Sequence, residues 1–232
     1  GLLQWYCAPD SWKDTLKESD REGRDGWWKI DGGQLQIAPP AKKDFWRKTY
    51  YQPLMVKDDG SILYSIVPQS ALPVTVQTSF SLTPKAQFDQ AGIIIRIDSE
   101  HWIKTGIEVV DGQPRLSCVV TNGFSDWSTQ NWATAEISIR VHMLPQHGGS
   151  SVVEAAPKGT EDWSFIRIAH MNRDFNHDLL NDDPTVKDAF RGPSAPEGSF
   201  MVGVFAACPV DQLGMVATFD KLSITRGSQF VH

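Results

Sequence analysis

Within residues 93–109, IIIRIDSEHWIKTGIEV, the side chains Arg96, Asp98, Trp102, Lys104 and Glu108 are of types that bind or catalyse. Asp98 and Glu108 offer general acid–base chemistry, and Arg96 with Lys104 offers anion stabilisation. Trp102 is a flat apolar plate with one polar edge, suited to a sugar ring or another small polar metabolite. These groups act together only if the backbone brings them to one face.

The local sequence does so. Ile93, Ile95 and Ile97 alternate with Ile94, Arg96 and Asp98; after a short break Ile103, Thr105, Ile107 and Val109 alternate with Trp102, Lys104, Gly106 and Glu108. Strand side chains point to opposite faces with a period of two, so a hairpin here has one aliphatic face and one charged, aromatic face. Its register is open. Asp98 opposite Trp102 sets Arg96 against Lys104, a like-charge pair costing ~0.2–1 kcal/mol, whereas a two-residue slide sets Asp98 against Lys104. A solvated sheet face is the plain alternative. Trp102 argues against it, because a large aromatic among charges is poor surface unless something covers it.

Other stretches extend the candidate face. In 115–121, Leu116, Cys118 and Val120 oppose Arg115, Ser117, Val119 and Thr121; in 135–142, Ala135, Ile137, Ile139 and Val141 oppose Glu136, Ser138, Arg140 and His142. If these strands neighbour the hairpin, Thr121, Arg140 and His142 join its charged face. DFWRKTYY (44–51) contributes Trp46, Arg47 and Tyr51, and TNGFSDW (121–127) contributes Trp127, though each stretch serves equally well as a core anchor. His170 ends the strand-like WSFIRIAHM. The expected ligand contacts are therefore Arg96, Trp102, Lys104, Thr121, Trp46, Arg47, Tyr51, Trp127, Arg140 and His170, with Glu108, Asp98 and His142 as candidate catalytic groups.

The elements that must position them are short strands. WWKIDGGQLQIAPP carries a hairpin signal at Asp31-Gly32-Gly33, and strand-like runs bounded by turn residues recur to the end of the chain. The pattern predicts an all-β fold, a jelly-roll sandwich of two antiparallel sheets with a few short helices, at 10–19 and 183–192. All 232 residues are expected to form one domain. The polar stretch 171–199 is a long loop or short-helix insertion, either a lid or a plain surface excursion.

A net charge of −6 argues against a phosphate-backbone binder, so no nucleic acid is expected. No apolar run of 18 residues occurs, so no membrane span is expected. Cys7, Cys118 and Cys208 are too few and too scattered for a disulfide framework, which favours a reducing, cytoplasmic setting. There is no Gly-x-Ser-x-Gly elbow and no HExxH, and the six histidines are scattered. Asn172, Asp174, Asn176 and Asp178 hint at calcium, but the rest of an EF-hand loop is missing and a solvated loop fits better. Neither metal nor cofactor is expected.

FDQAGIIIRIDSEHWIKTGIEVVDGQPRLSCVVTNGFSDWS (88–128) resembles the signature of the DUF1349, or regulator-of-enolase-like, family. PPAKKDFWRKTYY, GTEDWSFIRIAHM and VGVFAACP follow its fungal branch. The resemblance implies a concanavalin A-like sandwich and, through the family's name, a link to carbohydrate metabolism with a possible protein partner. Laminarinase-like glucanases of this fold carry Glu-x-Asp-x-x-Glu along one strand. Here the nearest stretch is Arg96-Ile97-Asp98-Ser99-Glu100-His101, with both glutamate positions replaced, so their mechanism is not expected.

The expected function is binding of a carbohydrate, sugar acid or other small polar metabolite, as an accessory in carbohydrate metabolism. A cofactor-independent isomerase, lyase or cyclase at the same face is the alternative. A protein-interaction module acting on a metabolic enzyme is the third reading.

Overall fold

The computed structural model describes residues 3–7, 26–145, 149–172, 191–210 and 214–230. Alternation of apolar and polar residues yields sixteen strands in three sheets among the described residues. The first large sheet runs β1 (Gln4–Tyr6), β6 (Ser61–Pro68), β15 (Ser199–Ala207), β8 (Gln90–Arg96), β9 (His101–Val110), β10 (Gln113–Asn122), β11 (Phe124–Asn131). The second runs β14 (Ser164–His170), β13 (Ser150–Ala156), β12 (Glu136–Leu144), β7 (Val74–Thr83), β16 (Val216–Arg226), β3 (Gln34–Ala38), β2 (Trp27–Asp31). A small pair, β4 (Phe45–Arg47) and β5 (Val56–Asp58), makes the third. Every pairing within these sheets is antiparallel.

The inner faces meet as expected for a sandwich. Ile93, Ile95 and Ile103 of the first sheet are buried in one cluster with Val76, Ile139 and Phe219 of the second. The β2–β3 hairpin turns at Gly32 and Gly33, whose φ values of 56° and 82° fit the residue pair expected there. The only helical element among the described residues is a 3₁₀ turn, Gln69–Ala71. The helix expected at 10–19, and that expected at 183–192 up to residue 190, lie outside the described residues.

Two expectations are corrected here. Neither proposed register of the β8–β9 hairpin is found: Arg96 pairs with Trp102 and Ile94 with Lys104. The pairing is displaced two residues back along β8 from the first of those registers, with Ile97 N–H bonded to His101 O at 2.9 Å, and no like charges face each other. Strand β12 is not a neighbour of the hairpin; it pairs with β7 and β13 in the opposite sheet. Alternation defines which residues share a face of their own strand, but long-range pairing decides which sheet the strand joins.

Much of the outer face of the first sheet is closed to solvent. The β4–β5 arm folds over it, and Phe45 packs edge-on against Trp102 and Phe205, with centroids 6.1 and 6.3 Å apart. A second apolar cluster results, in which Phe45, Ile62, Ile94, Trp102, Val119, Met201 and Phe205 are all buried. Trp102 is indeed covered, but by the chain itself.

Candidate functional site

Covering the outer face divides its polar residues into two groups. Towards β15, Arg96 is fully buried, and its guanidinium makes a bidentate pair with Asp58 of β5. Arg96 Nε also donates to Pro193 O at 2.8 Å, while Gly192 N–H donates to Asp58. The pair thus pins the β4–β5 arm and the 191–195 segment to the sheet. Arg47, also buried, pairs with Glu100 of the β8–β9 turn. Thr121 Oγ1 lies 2.9 Å from Ser125 Oγ and is buried beside Trp102, its strand partner. Arg96, Trp102, Arg47 and Thr121, expected as ligand contacts, are buried in contacts within the protein and do not line the cleft beyond the arm. Arg96, Trp102 and Thr121 face the covering arm, and Arg47, on the arm itself, reaches the β8–β9 turn.

Past the end of the arm the same face opens into a cleft of about 960 Å³. Its lining is aromatic, from Trp46, Tyr50, Tyr51, Phe88, Phe124 and Trp127. Trp46 stands edge-on to Tyr51 (6.0 Å, 84°) and to Trp127 (6.2 Å, 86°). Trp46 Nε1 donates to Thr49 O at 2.9 Å, fixing its ring. Tyr51 and Trp127 are each 37% exposed, enough to present a face to a ligand.

Lys104, Glu108 and Asp44 lie at the bottom. Lys104 Nζ donates to Gln90 Oε1 at 2.6 Å and to Asp44 Oδ1 at 3.3 Å. Glu108 accepts from Ser117 Oγ at 2.7 Å, and Ser117 Oγ in turn accepts from Trp127 Nε1 at 2.9 Å. Burial pushes the Glu108 carboxyl above the usual glutamate range, opposed by the Lys104 charge and the Ser117 hydrogen bond. Burial also raises the Tyr51 phenol, helped by the carboxylate of Asp44. Aromatic walls over a few anchored polar groups are the usual make-up of a small-molecule site.

The sequence pattern of the family described as "Protein of unknown function (DUF1349)" matches residues 24–227. The chain belongs to that family. It is 30% identical over 195 residues to "Regulation of enolase protein 1" of Saccharomyces cerevisiae, covering 84% of this chain and 83% of that protein. A crystal structure of a functionally unknown protein from Saccharomyces cerevisiae superposes with a TM-score of 0.67 at 27% identity, covering 88% of this chain and 97% of that one. The xylan β-1,4-xylosidase of Bacillus halodurans C-125 gives 0.58 at 13% identity, covering 86% of this chain and 34% of that one. At that identity the likeness is one of fold alone, and the sandwich accounts for about a third of the xylosidase chain.

The remaining candidates of this DUF1349 chain lie elsewhere. Asp98 accepts the backbone N–H groups of Glu100 and His101 at 2.8 and 2.9 Å and contacts His101 Nδ1 at 2.9 Å. Burial alone would raise its pKa, but these hydrogen bonds bring it below the usual aspartate range. It caps the β8–β9 turn and does not line the cleft with Glu108. Arg140 and His142 sit on the outer face of the second sheet, where both bond Glu154 Oε2, at 2.6 and 2.8 Å. They are separated from Glu108 by the whole sandwich. His170 ends β14 with its side chain exposed and its carbonyl bonded to Asn122 Nδ2 at 2.9 Å.

Of the expected site, the structure brings together Trp46, Tyr51, Lys104, Glu108 and Trp127. Asp44, Phe88 and Ser117 were missed. Ser117 shared the polar side of its strand with Thr121, the only signal that pointed to it; Asp44 and Phe88 precede strands and carry no periodicity. Beyond Asn172, the oxygen-rich series 174–178 and most of the proposed lid lie outside the described residues. Among the described residues no three His, Cys, Asp or Glu side chains gather as a metal site, and no helix is long and apolar enough to cross a membrane.

Proposed function

We propose that this protein binds a carbohydrate or a small polar metabolite in the aromatic cleft, as an accessory in carbohydrate metabolism. The observation that carries the reading is the set of four rings, Trp46, Tyr51, Phe88 and Trp127, arranged over the buried polar floor of Lys104 and Glu108. Aromatic rings stack on the apolar faces of sugars, while buried polar groups select hydroxyls by hydrogen bonding. The yeast relative's name supports a connection to metabolism, and an enolase-like protein partner belongs to the same proposal. A cytoplasmic setting fits Cys118, which is buried and not disulfide-bonded among the described residues.

The test is a thermal-shift screen of wild type and Trp127→Ala against sugars, sugar acids and glycolytic metabolites. A ligand at 100 times its dissociation constant stabilises the fold by ~2.7 kcal/mol, a readily measured rise in melting temperature. The expected result is a shift in wild type that Trp127→Ala removes. A panel without any shift rejects the reading.

A second reading, acid–base catalysis at the same cleft, has one observation in its favour: the raised pKa of Glu108 beside Lys104. Glu108→Gln separates the two. Loss of a general acid or base costs ~10²–10⁴-fold in turnover, whereas binding alone tolerates the isosteric amide.

A further inference from the structure

The cleft's ionisable groups distinguish between ligand classes. Three carboxyl side chains, Asp44, Glu108 and Asp111, line the cleft with two lysines, Lys57 and Lys104, and among the described residues no arginine lines it. Neither lysine is an idle cation. Lys104 is held by Gln90 and Asp44 and sits 5.8 Å from the Trp102 ring centroid, drawn towards the covered side of the face. Lys57 Nζ reaches Lys42 O at 3.4 Å. The nearby guanidinium of Arg167 is engaged by Asp126 Oδ2 at 2.9 Å and Ser128 Oγ at 2.7 Å. Arg115, across the strand pair from Glu108, does not line the cleft. Phosphate and carboxylate recognition relies on charge-assisted donors, bidentate arginine above all. The cleft presents acceptors instead, which suit hydroxyl donors.

Its length adds a second constraint. The rings of Tyr51, Trp46, Trp127 and Phe88 follow one another at 6.0, 6.2 and 6.5 Å, a wall that outreaches a single pyranose. The cavity of about 960 Å³ lies near the top of the ~300–1,000 Å³ usual for ligand pockets.

Building on the carbohydrate reading above, we propose that the cleft takes an uncharged oligosaccharide of at least two rings and discriminates against phosphorylated and uronic-acid sugars. The rings stack along the Trp46–Trp127 wall, and Glu108 and Asp44 accept hydroxyl hydrogen bonds at the floor.

Isothermal titration calorimetry tests this with cellotetraose, xylotetraose and mannotetraose, their monosaccharides, tetragalacturonate and glucose 6-phosphate. At least one neutral tetrasaccharide is expected to bind tenfold or more tighter than its monosaccharide and than either anionic probe. Trp127→Ala, and separately Tyr51→Ala, should each weaken that binding tenfold or more while circular dichroism stays unchanged. If tetragalacturonate or glucose 6-phosphate binds as tightly as the best neutral probe, and loses affinity in both variants, charge selection is overturned while the carbohydrate site stands. A monosaccharide that matches its tetramer overturns the requirement for a second ring. Binding by none of the probes overturns the proposal, and the wider metabolite screen then decides the reading beneath it.

Discussion

Trp127 and Glu108 are joined through a single hydroxyl: Ser117 Oγ accepts from the indole N–H at 2.9 Å and donates to the carboxylate at 2.7 Å. The three residues come from β11, β10 and β9, so the relay runs across adjacent strands of one sheet. It ties the orientation of a wall ring to a buried acid on the floor. A change at either end should therefore be felt at the other.

Ser117→Ala breaks the relay at its middle. It leaves the indole N–H and the carboxylate without their shared partner, and an unsatisfied buried polar group costs ~1–3 kcal/mol. Urea denaturation should show a loss in that range. Calorimetry should show weaker binding of whichever sugar the wild type takes, through a less constrained Trp127. Unchanged affinity would separate Trp127's orientation from the relay.

Glu108→Gln should act on stability in a pH-dependent way. Burial raises the folded-state pKa above its unfolded value, with Lys104 opposing. The native state then holds the proton more readily than the unfolded chain. Native stability falls as pH rises from the ordinary glutamate value, ~4.3, through the raised folded value. The amide escapes that penalty, so the variant should match or exceed wild type at pH 7 and lose its advantage below pH ~4. Melting curves between pH 4 and 8 check the sign; a variant less stable than wild type only at neutral pH contradicts it.

Asp58→Ala should be among the most damaging substitutions. It strands the fully buried Arg96 and releases Gly192 N–H, and breaking a buried ion pair from one side costs ~3–5 kcal/mol. Hydrogen exchange should also report faster opening at Gly192 and Ala195, whose N–H bonds Ile97 O at 2.6 Å. A loss below ~1 kcal/mol would place the pair with weakly coupled surface salt bridges.

Glu154→Gln probes the opposite sheet with the opposite sign. Burial favours the protonated form of Glu154, but hydrogen bonds from Arg140 and His142 outweigh it and hold the carboxyl below the usual range. Its contribution is present above the unfolded pKa and lost as pH falls through the lower folded value. Glu154→Gln should therefore destabilise by ~1–3 kcal/mol at pH 7 and converge with wild type in acid. Sugar affinity should not change, because the cluster lies across the sandwich from the cleft.

Much of this was legible because alternation is a local property. Ile93, Ile95 and Ile103 point into the core, and Arg96, Trp102, Lys104 and Glu108 share the other face, as a period of two requires. The sandwich followed from many short alternating runs, and the Asp31-Gly32-Gly33 turn from residues that tolerate positive φ. Aromatic residues at Trp46, Tyr51 and Trp127 marked two segments that meet in the cleft.

The sequence by itself thus determined the strand pattern, the family and the chemistry available on one sheet face. Tertiary structure decided which of those residues can meet a ligand. Arg96 and Lys104 share that face, yet one is sealed beneath the β4–β5 arm with Asp58 while the other lines an open cleft. His142 resembled them in pattern and belongs to the other sheet. The physical reason is range: side-chain direction is set by each residue's own backbone, whereas burial and sheet membership depend on partners tens of residues away.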